Sequence, residues 1–183
     1  DITLIGYSMG GAIATAFAAA QPLSVRQVIL LAPAGMQAVG GLLRTMASVP
    51  FVGSWIMLMA YPGQLRKGFA VERDLPSSVP GITDLQEGEL NWRGFLPAVL
   101  SSLRGALSGD QKSAHQVLHR EKIPVFAIWG QDDTVIPLAC AQILQAWNPD
   151  SEHAVIDGAG HGVTYTHTDD ILALIQSFNQ PGD

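Results

Sequence analysis

Strand, glycine, serine, glycine, helix is the order in which the chain opens, and it leaves few choices of fold. Asp1-Ile-Thr-Leu-Ile5 is a short, apolar, β-branched run that reads as a buried strand. Gly6-Tyr7-Ser8-Met9-Gly10-Gly11 follows. Ala12-Ile-Ala-Thr-Ala-Phe-Ala-Ala-Ala20 is then rich in helix formers and is stopped at Gln21-Pro22. Ser8 therefore lies on a strand-to-helix turn, with Gly6 and Gly10 at the G-x-S-x-G spacing. A serine held on a strained backbone leaves no room for a Cβ two residues to either side. The Met9 amide, at the helix start, can point at a developing oxyanion. A glycine turn carrying a mere surface serine has the same outline, so the motif alone establishes no chemistry. Phosphate cradling is disfavoured because the lysine of a P-loop is absent.

A serine hydroxyl needs a base, and the base needs an orienting acid. Ile123-Pro-Val-Phe-Ala-Ile-Trp-Gly130 is a second buried-strand run, followed by Gln131-Asp132-Asp133-Thr134-Val135-Ile136-Pro137. Ala154-Val-Ile156 is a third, followed by Asp157-Gly-Ala-Gly-His161-Gly162. An acid thus lies just past one strand and a histidine just past the next. The chain order is serine, acid, histidine, the order of nucleophile-elbow hydrolases.

On "GYSMGG", "WGQDDTVIP" and "GAGHG" the chain resembles the C-terminal part of an α/β-hydrolase-fold protein of the capped esterase, lipase and carbon–carbon hydrolase type. The resemblance spans nearly the whole chain and is weakest in the middle. It implies a mostly parallel sheet flanked by helices, interrupted by a helical cap. In that family the acid sits in G-x-x-D-x-x-x-P after the seventh strand. Gly130 and Pro137 then select Asp133, with Asp132 as the alternative. The family's histidine follows a Gly-x-Gly loop, which selects His161. The family nucleophile follows the fifth of eight strands, so the resemblance implies that the first four strands are missing and that the chain is a fragment. It also implies that a second oxyanion donor, from a loop after the third strand, is missing. Any signal peptide would have preceded these residues, and the cytoplasm is the default expectation for location. An apolar fifth strand without its neighbour is expected to self-associate at its edge or to need the N-terminal half as partner.

Composition narrows the partners. The net charge of −6 over 183 residues argues against nucleic acid or an anionic membrane surface. The single cysteine, Cys140, cannot form an internal disulfide. Gln27 to Ala32 reads as the strand after the first helix. Roughly ninety residues then separate it from the strand at 123, far more than a crossover needs. The expected organisation is hydrolase core at 1–35, helical cap at 36–122 and core again at 123–183. Arg93–Arg104 and Gln111–Arg120 read as cap helices, Leu138–Trp147 as a core helix, and Thr168–Phe178 as a final helix with N-cap chemistry.

Thr45 to Leu65 carries no charge, a length that would suit a membrane span, but Pro50, Gly53 and Pro62 interrupt it. A buried helix or pocket wall around Phe51, Trp55, Met57 and Met59 is expected, with contact at a lipid interface as the alternative. Trp55, Met57 and Tyr7 are the candidate substrate contacts, although Tyr7 could simply pack. His115 and His119 have metal-ligand spacing without a third ligand nearby, and read as exposed helix histidines. His153 is placed at a strand edge and His167 ahead of the last helix; His167 is the one rival base to His161. Asp157 is a further candidate acid by chain order.

These residues point to a serine hydrolase of carboxylic esters with a mainly apolar acyl group. Ser8 is the nucleophile, His161 the base, Asp133 the acid and the Met9 amide an oxyanion donor, with no metal or organic cofactor. Three alternatives are open. Carbon–carbon bond hydrolysis of meta-cleavage products is one, although those relatives commonly carry Trp after the histidine where this chain has Gly162. Perhydrolase chemistry on the same fold is another. The third, for this fragment alone, is a catalytically inactive hydrolase-like module.

Overall fold

The computed structural model describes residues 2–36, 52–105 and 107–179. In chain order the elements are β1 (Ile2–Tyr7), α1 (Met9–Ala20), β2 (Val25–Leu31), α2 (Val52–Glu72), α3 (Ile82–Glu89), α4 (Phe95–Arg104), α5 (Lys112–Arg120), β3 (Val125–Gly130), α6 (Ala139–Trp147), β4 (Glu152–Ile156), α7 (Val163–Thr166) and α8 (Thr168–Asn179). They divide into two compact units, residues 1–37 with 110–183, and residues 38–109.

The first unit holds a four-stranded parallel sheet in the order β1-β2-β3-β4. Ile5 lies opposite Ile29, Ile29 opposite Phe126, and Ile128 opposite Ala154. Parallel neighbours cannot be joined by tight turns, so α1 and α6 serve as crossovers. The two inner strands explain their own sequences: β3 is buried at every residue and β2 at all but Arg26. A parallel strand covered on both faces reads as a continuous apolar run rather than an alternating one. Ile29, Phe126 and Ile128 form one core cluster with Ile171 of α8, and Leu174, Ile175 and Phe178 pack against it. The Phe126 and Phe178 rings stack at 4.7 Å. On α1 the buried residues are Gly11, Ala12, Ala14, Thr15 and Ala18, all small. The helix stops where the Gln21 N–H donates to the Phe17 carbonyl and Pro22 opens a 3-10 turn.

α5 falls in the strand-bearing unit and not in the helical insertion that the sequence predicts at 36–122. The reason is its buried face of His115 and Leu118. His115 is only 1% exposed and sits 6.2 Å from the Trp147 ring, so it is a core residue and not the exposed helix histidine expected. His119, one turn on, is part-exposed and pairs with Asp150.

The second unit contains α2, α3 and α4. Tyr61, Val99 and Leu103 pack around Leu100, and Arg66 and Arg73 pair with Glu87. Two expectations fail here. α2 runs through Pro62 rather than breaking, at the cost of one backbone hydrogen bond. Trp55 and Met59 are 72% and 77% exposed, so they do not form a buried wall. α2 shows why: its apolar residues are spread around the axis and not gathered into one stripe that could all be buried. Phe51 and the Met57 side chain lie outside the described residues. Among the described residues, no helix is long and apolar enough to cross a membrane.

Candidate active site

Three strand ends build the site. β1 ends at Tyr7, and Ser8 follows with φ 50° and ψ −118°. A non-glycine residue with positive φ is strained, and the surrounding bonds hold it there. The Ser8 N–H donates to the Leu31 carbonyl at 2.9 Å, while the Ser8 carbonyl accepts from Gly11 at 2.9 Å and Ala34 at 3.0 Å. A Cβ on Gly6 would lie 2.4 Å from the Gly10 carbonyl oxygen, so glycine is required at position 6. Gly10 differs from the expectation: a Cβ there meets nothing among the described residues. The second crowded position is Gly11, whose Cβ would lie 2.7 Å from the Pro33 Cβ. The first turn of α1 folding back over β1 sets the requirement at Gly6, and close packing of α1 on Pro33 sets it at Gly11. Among the described residues the Met9 N–H donates to no backbone acceptor, unlike the amides of Ser8 and Gly11.

The acid loop after β3 is stitched to the histidine loop after β4. Gln131 N–H donates to the Ile156 carbonyl at 3.0 Å, and Asp132 N–H to the Ala159 carbonyl at 2.9 Å. Gly130 permits this, since a Cβ there would lie 2.4 Å from the Ala159 oxygen. The stitching turns the neighbouring acids opposite ways: Asp132 is exposed and Asp133 buried, with Asp157 also exposed. Oδ1 of Asp133 accepts the backbone N–H groups of Val135 at 2.7 Å and Ile136 at 2.8 Å. Oδ2 of Asp133 lies 2.8 Å from His161 Nδ1. The far nitrogen, Nε2, lies 3.0 Å from Ser8 Oγ.

These distances assign the protons. A carboxylate only accepts, so Nδ1 carries the hydrogen; Nε2 is then the acceptor, and the Ser8 hydroxyl donates to it. The structure thus brings Ser8, His161 and Asp133 into one hydrogen-bonded line. Asp132, Asp157 and His167 are not in it; the His167 Nδ1 is engaged with the Thr166 hydroxyl at 2.9 Å. Tyr7 meets His161: its hydroxyl donates to the His161 carbonyl at 2.8 Å, and the two rings lie 5.3 Å apart. Trp55 belongs to the helical unit. The paired amides of Val135 and Ile136 were not singled out in the sequence. An aspartate bonding the backbone two residues on is a known turn habit, so the signal was present.

Residues 1–174 match the family model described as "Alpha/beta hydrolase family". A 2-hydroxy-6-oxononadienedioate/2-hydroxy-6-oxononatrienedioate hydrolase of Pseudomonas sp is 28% identical over 181 residues, covering 96% of this chain and 62% of that protein. A pimeloyl-[acyl-carrier protein] methyl ester esterase of Aliivibrio salmonicida is 26% identical over 188 residues, covering 98% and 69%. The crystal structure of an alpha/beta hydrolase enzyme from a Medee basin deep-sea metagenome library matches with a TM-score of 0.72 at 19% identity, covering 100% of this chain and 66% of that one. That likeness shows the fold, which this chain covers in part. Mycobacterial proteins matched at 25% identity are longer still, and the chain spans 50% of their length.

Proposed function

We propose, from the premise that the chain belongs to the alpha/beta hydrolase family, that it carries the nucleophile, base and acid of a serine hydrolase acting on carboxylic esters with a mainly apolar acyl group. The observation that supports this reading is the unbroken line from Ser8 Oγ through His161 to Asp133, with links of 3.0 and 2.8 Å. Ser8 Oγ attacks the ester carbonyl carbon while its proton passes to His161 Nε2. The carbonyl oxygen becomes an oxyanion facing the Met9 N–H. Asp133 keeps the Nδ1 hydrogen in place and stabilises the imidazolium that forms. When the tetrahedral intermediate collapses, Nε2 returns the proton to the leaving alcohol. Water then attacks the acyl-serine by the same route, and the carboxylic acid leaves. The exposed Met9 side chain next to Ser8 favours an apolar acyl group, because a thioether chain adapts to irregular apolar shapes. The esterase relative from Aliivibrio is consistent with ester chemistry.

The Pseudomonas relative favours a second reading, hydrolysis of a carbon–carbon bond by the same three groups. Gly162 counts against it. Such enzymes commonly carry a tryptophan there, and any Cβ at that position would require the Tyr165 ring, 2.5 Å away, to shift. Turnover of p-nitrophenyl esters from acetate to octanoate, measured in wild type and Ser8→Ala, tests the first reading. Ester turnover lost in Ser8→Ala is the expected result. Turnover of a ring-fission dienoate with none of any ester would favour the second.

A further inference from the structure

We infer that Tyr7 is a positioning residue for His161 and not a substrate contact; the inference rests on the serine-hydrolase reading of the same site. The argument begins with what holds the histidine loop. His161 lies between Gly160 and Gly162, two residues whose backbones resist no conformation. On its N-terminal side the loop is held by Asp132 N–H on the Ala159 carbonyl. On its C-terminal side the Gly162 carbonyl accepts the N–H groups of Tyr165 and Thr166 and the Thr166 hydroxyl, at 3.0 to 3.1 Å. The His161 carbonyl lies between these anchors, and the Tyr7 hydroxyl donates to it at 2.8 Å.

That bond crosses from the serine strand to the histidine loop. Tyr7 is the last residue of β1, paired with Leu31, and its neighbour is Ser8. One rigid element therefore fixes the nucleophile through its backbone and the base through the Tyr7 side chain. The Tyr7 ring also packs against the imidazole at 5.3 Å, tilted by 34°. Together the two contacts hold both ends of His161, main chain and ring, relative to Ser8. The phenol has one hydrogen, and it is committed to the His161 carbonyl, so it is not offered to a substrate. Small displacements of a catalytic base slow the chemical step while leaving ground-state binding intact.

Tyr7→Phe keeps the ring and removes only the hydroxyl. Two readouts test the inference: kcat and KM on p-nitrophenyl acetate and octanoate, and the nitrogen NMR signals of the His161 ring without substrate. The expected result is a kcat about tenfold lower, the loss of one neutral hydrogen bond, with KM unchanged and the same loss at both acyl lengths. The His161 signals should broaden or split. Unchanged kcat, unaltered His161 signals, or a loss that falls in KM and grows with acyl length would each overturn the assignment. If Ser8→Ala keeps full ester turnover, the hydrolase reading falls separately. The His161 signals of Tyr7→Phe then still decide whether the hydroxyl holds the histidine: altered signals support it, unaltered signals refute it.

Discussion

Replacing Asp133 by Asn keeps the side chain's shape but exchanges one carboxylate oxygen, an acceptor, for an NH₂ donor and removes the charge, which makes its effect calculable from the site. Val135 and Ile136 present two backbone donors to Oδ1 at 2.7 and 2.8 Å. The amide oxygen of an asparagine must take that place, since its NH₂ would face two N–H groups. The NH₂ is thereby turned to His161 Nδ1, across the 2.8 Å now spanned by Oδ2. It can only donate, so Nδ1 must accept and the imidazole hydrogen moves to Nε2. Nε2 then meets Ser8 Oγ, 3.0 Å away, with a hydrogen instead of a lone pair. The base cannot take the serine proton. A wrong tautomer of this kind lowers kcat by about 10⁴, or about 5 kcal/mol of transition-state stabilisation. Steady-state kcat on a p-nitrophenyl ester measures it, with urea unfolding to confirm an intact fold. Asp132→Asn, at an exposed carboxylate, should leave kcat nearly unchanged. An Asp133→Asn protein with near wild-type kcat, or an Asp132→Asn protein with the large loss, would refute the reasoning.

Gly6→Ala should destabilise the fold by about 3 kcal/mol, because its Cβ meets rigid backbone; Gly10→Ala, in open space on a helix, should stabilise it by about 0.5–1 kcal/mol, and equal urea midpoints for the two would contradict both. Burial, with like-charge repulsion from His153 second, lowers the His115 pKa from 6.5 to about 4. Below pH 6.5 the unfolded chain takes up a proton that the folded chain refuses, so stability should fall by about 2 kcal/mol between pH 7 and 5 and by about 3 near pH 4; His115→Leu should flatten that slope, and parallel slopes would refute the attribution. β1 ends the sheet with Ile2 and Ile5 exposed, so we propose that these residues expressed alone self-associate at that edge or need a partner there; a monodisperse monomer by light scattering would contradict this.

The strands and the site were legible for one physical reason. Buried parallel strands are short and continuously apolar, and β1, β3 and β4 each have a glycine within two residues of their ends, at Gly6, Gly130 and Gly158. Ser8, Asp133 and His161 all follow such ends, so chain order alone brought them into view. Choosing Asp133 over Asp132 needed the resemblance, because residues one apart point opposite ways and only the stitching to the Ala159 carbonyl decides which is buried. The helical unit was less legible. An uncharged stretch suggested burial, yet Trp55 and Met59 are exposed, since hydrophobicity without a stripe does not choose a face. His115 was missed because a polar residue on a polar helix reads as surface until its partner Leu118 fixes which side faces inward. For Tyr7 the sequence leaves substrate contact and simple packing both open, because its position beside the nucleophile is visible there, while its bond to a carbonyl 154 residues away is not.

The most direct test of the account is covalent labelling by a fluorophosphonate probe, followed by peptide mass spectrometry. The account predicts one modified site, Ser8, with no labelling in Ser8→Ala and strongly slowed labelling in His161→Ala. Equal labelling of Ser8→Ala, or modification mapped to another residue, would contradict it.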